Sequence, residues 1–171
     1  MLLNILTHTP PWVFVLFAAL LWLGMKQLLT HELSLLRVSA LALGMSGWSL
    51  YGTASAFGGA AVPIGVWLAA AAVVLTVLLR RRLAPGVRYD VARARFTLPG
   101  SAVPLALMMG IFLTKYAVGV ALSVAPALSR DAAFAALVGG LYGAFSGVFG
   151  ARALRLWRLA LAEDRRQALP A

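Results

Sequence analysis

Lys115 is the residue whose type and setting most directly suggest chemistry. It stands in the middle of residues 110–120, a run that is apolar on both sides of it. A cation in the hydrocarbon region of a bilayer costs at least about 2.5–3.5 kcal/mol, and such residues usually face a bundle interior or a wet cavity. No carboxylate lies within an apolar segment of the chain. Lys115 therefore marks a candidate site for an anionic or carbonyl-bearing ligand.

The composition indicates an integral membrane protein. Hydrophobic residues make up 62% of the 171 residues, charged residues only 12%, and the mean hydropathy is +0.90. A soluble domain carries about 25% charged residues. The net charge of +10 comes mostly from arginines at the ends of apolar runs, which favours membrane lipids as partners and argues against nucleic acid. Thirteen arginines against two lysines, with many alanines, indicate a GC-rich bacterial gene and hence an inner-membrane location.

Five segments are long enough to cross about 30 Å of hydrocarbon as helices. They are residues 11–29, 36–57, 62–79, 101–122 and 132–157. Pro10, Pro11 and Trp12 are typical of a helix start at the membrane interface, and Ser101 is a plausible N-cap with Pro104 in the first turn. Residues 1–9 lack the basic region of a secretory signal, so the first run is expected to remain as a span. The predicted fold is an all-α membrane protein, a bundle of five transmembrane helices.

The basic residues predict an orientation. With the C-terminus in the cytoplasm, thirteen basic residues lie on the inner side and Arg130 alone lies on the outer side. This bias follows the positive-inside rule, and an odd number of spans then places the N-terminus outside.

Residues 80–100, between the third and fourth spans, predict a short cytoplasmic β-hairpin. Val87, Tyr89, Phe96 and Leu98 share one face, and Asp90 suits the start of the turn. An irregular basic loop is the alternative. The arginines here would contact lipid headgroups or a partner's acidic patch, although topology alone also explains their charge; they are Arg81, Arg82, Arg88 and Arg95. Residues 158–171 are read as a polar tail.

Matching residues by depth gives a hypothesis for the site. Lys115 lies about 10 Å below the outer end of its span, since a helix rises about 1.5 Å per residue. Polar and aromatic residues at similar depth predict an outward-facing cleft; they are Trp48, Tyr51, Thr53, Tyr116, Tyr142 and Ser146. The alternative is that Lys115 extends to the outer headgroups and that the hydroxyls bond carbonyls of their own helices.

Small residues at four-residue spacing predict close helix packing in the fifth span. Gly139, Gly143 and Gly147 form this stripe, and small residues at this period let two helix backbones approach closely. The matching face is sought on span four, at Gly110 and Gly119, or on span two, at Gly44 and Gly47. Packing within one chain and homodimerisation both remain open.

Several chemistries find no support in the sequence. Cysteine is absent, which excludes disulfides and thiolate catalysis. His8 and His31 fall on opposite sides of the membrane, so neither haem ligation nor a zinc site is expected, and no cofactor is predicted. There is no phosphate-binding glycine loop, nucleophile elbow or transmembrane carboxylate.

The chain resembles a family of small, uncharacterised bacterial inner-membrane proteins. The resemblance is carried by Leu98-Pro99-Gly100-Ser101, Pro104-Leu105, the Thr114-Lys115-Tyr116 core of residues 110–120, Leu141-Tyr142-Gly143, and Arg152 with Arg155. It implies a membrane location and no assigned activity.

Three functions follow as hypotheses. The leading one is a non-enzymatic membrane protein that binds a small anionic or lipid-like ligand in an outward-facing polar cleft at Lys115. Whether the protein also transports this ligand is left open. The second is a scaffold or accessory subunit of a larger membrane complex. The third is an integral enzyme acting on a lipid or a quinone.

Overall fold

The computed structural model describes residues 10–81, 83 and 85–168, so Arg82 and His8 lie outside the described residues. The described elements are, in chain order, α1 (Pro11–Lys26), β1 (His31–Ser34), α2 (Leu35–Ala56), α3 (Ala61–Leu79), β2 (Arg88–Asp90), β3 (Arg95–Leu98), α4 (Val103–Val124), a 3₁₀ turn (Pro126–Arg130) and α5 (Ala132–Ala168). They form two compact units. The first contains α1 and α4, and the second contains α2, α3, α5 and the sheet.

The five helices match the five predicted segments, with shifted ends. Among the described residues, α3, α4 and α5 are long and apolar enough to cross a membrane. Helix α1 is apolar but has only 16 residues, because the chain leaves the helix after Lys26 rather than at Leu29. Helix α2 has 22 residues but is less apolar, since it carries several serines and glycines. Helix α5 continues to Ala168, through most of the segment read as a polar tail.

In the second unit, α3 and α5 run parallel and very close together. Gly139 lies against the Pro63 carbonyl, Gly143 against the Trp67 carbonyl, and Gly147 against Ala71. A Cβ built at Gly147 would lie 2.6 Å from the Ala71 carbonyl oxygen, so only glycine permits this approach. The expectation that span two or span four supplies the matching face is therefore wrong. Span three supplies the matching face. The glycines contact backbone atoms of that helix, so the facing helix cannot be identified by looking for small side chains.

Helix α2 runs antiparallel to α5 and is joined to α3 by a tight turn. The Phe57 and Phe134 rings meet edge to face at 6.2 Å near one end of the pair, and Val38 packs with Leu156 near the other. Gly58 and Gly59 adopt φ values of +61° and +72°, and the Gly59 amide donates to the Ala54 carbonyl. Glycines end helices in this way because the left-handed conformation costs them little.

A three-stranded antiparallel sheet caps one end of the second unit. The predicted hairpin is present as β2 and β3, and Tyr89 faces Phe96 in its register. A third strand, β1, pairs with β3 on the other side, with Leu33 opposite Phe96. Phe96 is fully buried, and it packs with Leu98 against the α2 start and the second half of α5. This packing explains why α5 continues as a helix, because the sheet residues Phe96 and Leu98 cover Leu156 and Ala160 of α5.

In the first unit, α1 and α4 run antiparallel. Phe17 meets Phe112 at 5.5 Å between ring centroids, and Gly24 lies against Leu105. Gly100 faces the Leu28 carbonyl so closely that a side chain there would collide with backbone, and the Ser101 amide donates to the Gln27 carbonyl. Helix α4 begins at Val103, later than predicted. The Ser101 hydroxyl still accepts a hydrogen bond from the Val103 amide at 3.2 Å.

Candidate functional site

Ser49 joins the three helices of the second unit. Its hydroxyl accepts a hydrogen bond from the Trp67 indole Nε1 at 3.0 Å and donates one to the Tyr142 carbonyl at 3.1 Å. Trp67 is 8% exposed, so its N–H is satisfied inside the packing. Hydrogen bonds of this kind hold helices together where water is absent. The junction therefore stabilises the helix packing.

Three residues of the predicted cleft surround this junction, and their polar groups serve the packing. The Thr53 hydroxyl donates to the Ser49 carbonyl, and the Ser146 hydroxyl donates to the Tyr142 carbonyl at 3.0 Å. Thr53 is fully buried, and Ser146 and Tyr142 are nearly so. The hydroxyls of Thr53 and Ser146 thus bond carbonyls within their own helices, which is the alternative that the sequence left open for them.

Trp48 and Tyr51 lie on the other face of α2. Trp48 is 66% exposed and Tyr51 is 69% exposed, whereas Ser49 and Thr53 on the same helix turn inward. The predicted cleft residues of α2 are consequently divided between a buried polar face and an exposed aromatic face.

Lys115 and Tyr116 belong to the first unit, on α4. Lys115 is partly exposed, and α4 is otherwise apolar along its 22 residues except for hydroxyl groups. The Thr114 hydroxyl next to it bonds the Gly110 carbonyl at 2.7 Å and so stays within the helix. Tyr116 stacks on Phe112 at 6.3 Å, and Phe112 contacts Phe17 of α1. Lys115 therefore lies beside a row of aromatic rings that joins the two helices.

The arginines predicted to contact lipid or a partner differ in their surroundings. Arg95 forms an ion pair with Glu32 at 3.2 Å across β1 and β3, with both side chains about half exposed. Arg88 is exposed on the same sheet face, and Arg81 is exposed after α3. Ion pairs at such exposure contribute at most about 1 kcal/mol. Among the described residues, Arg95 is thus the one of these three with a carboxylate partner.

The inner face of the sheet is apolar and reaches α5. Tyr89 stacks against Phe96 with ring centroids 4.7 Å apart. Partial burial raises the pKa of the Tyr89 phenol above its usual value, and the carboxylates of Asp164 and Asp90 add to this effect. Asp164 belongs to the last turns of α5, and α5 contacts β2.

Two tryptophan–serine hydrogen bonds join helices and were not predicted from the sequence. Besides the Trp67–Ser49 bond, the Trp157 indole donates to the Ser39 hydroxyl at 2.8 Å, and Ser39 donates to the Leu35 carbonyl. The position of Trp67 could have indicated the first of these bonds. Trp67 stands in the middle of an apolar helix, where an indole N–H needs a buried acceptor. Among the described residues, no three His, Asp or Glu side chains come together as a metal site.

This arrangement defines a class of protein: a mostly helical chain with three helices that could span a membrane and a small sheet at one end of the second unit. The chain belongs to a family of unknown function, DUF6622, whose family model matches residues 1–169. No curated protein and no solved structure matches the chain.

Proposed function

We propose that the chain is a five-span protein of the bacterial inner membrane, with its N-terminus outside and its C-terminus in the cytoplasm. Helix directions within each unit support this topology. Helices α3 and α5 are parallel, α2 is antiparallel to both, and α1 is antiparallel to α4, as alternating spans require. Arginines gather at one end of the second unit, at the α2 start, the α3 end and the second half of α5. The other end carries Arg130 and Asp131.

The absence of cysteine makes this topology directly testable. Ala127→Cys lies after α4, and Gln167→Cys lies near the end of α5; both positions are exposed. In intact spheroplasts, a membrane-impermeant maleimide should label the first position, and it should label the second only after lysis. Labelling of both positions before lysis, or of Gln167→Cys alone, would overturn the orientation.

The proposed function is binding of an anionic, lipid-like ligand at Lys115. The observation that carries it is the position of this cation. Lys115 lies well inside the apolar helix α4 and stays partly exposed instead of being closed into helix packing. An ammonium there is strongly attracted to phosphate or carboxylate, because the surrounding hydrocarbon screens charge poorly.

The aromatic residues next to Lys115 fit an amphiphilic ligand. Tyr116, Phe112 and Phe17 form a row of rings on the α1–α4 pair. A lipid would place its charged headgroup on Lys115 and its acyl chain along these rings. Thr53, Tyr142 and Ser146 are left out of the proposed site because they serve the packing of the second unit.

A photoactivatable phosphatidylglycerol in phosphatidylcholine nanodiscs tests this proposal. Crosslinks should map to α4 near Lys115, should be lost in Lys115→Met and should be kept in Lys115→Arg. Lys26→Met is the matched control, because Lys26 lies in the same unit at a helix end, 3.7 Å above the Trp22 ring. A crosslink at α4 that persists unchanged in Lys115→Met would overturn the binding role.

A second candidate function is that of an accessory subunit in a larger membrane complex. The exposed aromatic and aliphatic face of α2 favours it, with Leu43, Trp48 and Tyr51 between 66% and 75% exposed. Replacing Trp48 and Tyr51 with Ala should release a co-purifying partner in gentle detergent while leaving the fold intact. Identical material purified with and without these changes would remove this candidate.

A further inference from the structure

Two groups of arginines in the second unit differ in their surroundings. Arg93, Arg95 and Arg166 form ion pairs with carboxylates of the chain: Asp90 at 3.9 Å, Glu32 at 3.2 Å and Glu163 at 3.1 Å. In the part of the chain that the structure describes, Arg37, Arg80, Arg81 and Arg158 form no ion pair. The last four are called the collar arginines below.

The collar arginines come from three helices but lie at one level. Trp157 donates to Ser39, so Arg158 and Arg37 are close in height along the α2–α5 pair. Gly147 lies against Ala71 and Gly150 against Leu75, in a parallel register. Both helices rise about 1.5 Å per residue, so this register places Arg80 and Arg81 beside Leu156 and Trp157.

The collar arginines lie where the apolar stretch of α3 ends. Helix α3 is apolar up to Leu79, and Arg80 follows directly. Trp157 is 39% exposed, and a partly exposed tryptophan at the end of an apolar stretch is typical of the headgroup region. Arg37, Arg80, Arg81 and Arg158 are all exposed.

We propose that the collar arginines bind the phosphates of anionic phospholipids in the cytoplasmic leaflet. Like charges gathered at one level repel each other. Of the four described carboxylates near this end, Glu32, Asp90 and Glu163 are paired with other arginines, so Asp164 is left against four collar charges. Lipid phosphate supplies the missing negative charge at this height, and arginine binds it with two parallel hydrogen bonds. The inference rests on the proposed membrane insertion and is independent of the Lys115 site.

The test compares two triple variants that lose the same charge. The first is Arg37→Gln, Arg81→Gln and Arg158→Gln, from the collar. The second is Arg93→Gln, Arg95→Gln and Arg166→Gln, from the ion-paired group. Each protein is titrated with phosphatidylglycerol in neutral detergent micelles, and the rise in the thermal midpoint gives an apparent affinity. Phosphatidylcholine and inorganic phosphate serve as separate probes.

The collar variant should bind phosphatidylglycerol about 100-fold more weakly, because each of the three lost arginines weakens binding about fivefold. The paired-arginine variant should keep most of the effect, and the collar substitutions should weaken binding by the same factor in a Lys115→Met background. Equal loss in both triple variants would show attraction by net charge alone and would overturn the proposal, as would an equal rise with inorganic phosphate. If the collar variant does not fold in neutral detergent, Arg81→Gln and Arg158→Gln alone should each weaken binding about fivefold, and unchanged affinity in both would overturn the proposal.

Discussion

The two units of the chain use their polar and small residues differently. In the second unit, glycines bring α3 and α5 into backbone contact, and the Ser49 hydroxyl joins three helices. In the first unit, α1 and α4 meet through aromatic rings and through Gly24 against the flexible side chain of Leu105. Polar groups of the second unit are largely committed to packing, whereas the first unit carries a lysine inside an apolar helix.

This difference separates two kinds of polar residue in apolar helices. A serine or threonine in an apolar helix can satisfy its hydroxyl on a nearby carbonyl, as Thr53 and Ser146 do. An ammonium brings a full charge, whose burial costs far more than that of a hydroxyl. The position of a residue within an apolar segment therefore identifies Lys115 as unusual. The same information cannot separate a hydroxyl that binds a ligand from one that serves helix packing.

The largest expected effect comes from filling the glycine contact. Gly143→Leu would push a side chain into the Trp67 carbonyl, so α3 and α5 would have to separate. Overpacking usually costs about 1–3 kcal/mol, and this substitution against backbone should reach the upper end or exceed it. The thermal midpoint in detergent should fall sharply, or the folded protein should be lost.

Gly140→Ala is the control for this change. Gly140 is on the same helix, but among the described residues a Cβ there would meet only the Val66 side chain at 3.5 Å, an ordinary contact. Its midpoint should change little. If Gly143→Leu were tolerated as well as Gly140→Ala, the close parallel packing of α3 and α5 would be wrong.

A smaller effect is expected at the junction of the three helices. Ser49→Ala leaves the buried Trp67 indole without its acceptor and removes one donor from the Tyr142 carbonyl. An unsatisfied buried donor costs about 1–3 kcal/mol, and measured hydrogen bonds between membrane helices average about 0.6 kcal/mol. The midpoint should fall by an amount between these limits.

Two further variants isolate the hydrogen bond at Ser49. Trp67→Phe removes the donor, so Ser49→Ala should cost less in that background than in the native chain. Ser55→Ala is the matched serine control, because the exposed Ser55 hydroxyl donates to the Gly52 carbonyl of its own helix. Equal losses for Ser49→Ala and Ser55→Ala would contradict a three-helix junction.

The helices and the hairpin could be predicted because their signals are local. Apolar runs mark all five helices, and the alternation of Val87, Tyr89, Phe96 and Leu98 marks β2 and β3. Strand β1 could not be predicted, since its pairing of Leu33 with Phe96 joins segments far apart in the chain. The extension of α5 likewise depends on the sheet core that covers Leu156 and Ala160.

The candidate site was less predictable than the fold. The glycine stripe shows that a helix comes close, but the atoms facing it are the carbonyls of Pro63 and Trp67, which every residue type possesses. Depth placed Thr53 near Tyr142 and Ser146, and the structure does bring these residues around Ser49. The choice of hydrogen-bond partners among these residues depends on how each helix is rotated about its own axis. Composition does not fix that rotation.

The smallest expected effects concern the first unit and sharpen the contrast in packing. A Cβ at Gly24 would overlap the Cδ1 atom at the end of the Leu105 side chain, which can move, and would lie 3.2 Å from the Leu105 Cα. A Cβ at Gly119 would have no atom of the described residues within 4 Å. Gly24→Ala should therefore cost about 1 kcal/mol, at the low end for overpacking. Gly119→Ala should raise the thermal midpoint slightly, because alanine stabilises a helix interior by about 0.5–1 kcal/mol relative to glycine. If Gly24→Ala destabilised the protein as much as Gly143→Leu, the α1–α4 contact would be as rigid as the α3–α5 contact, and the contrast between the units would not hold.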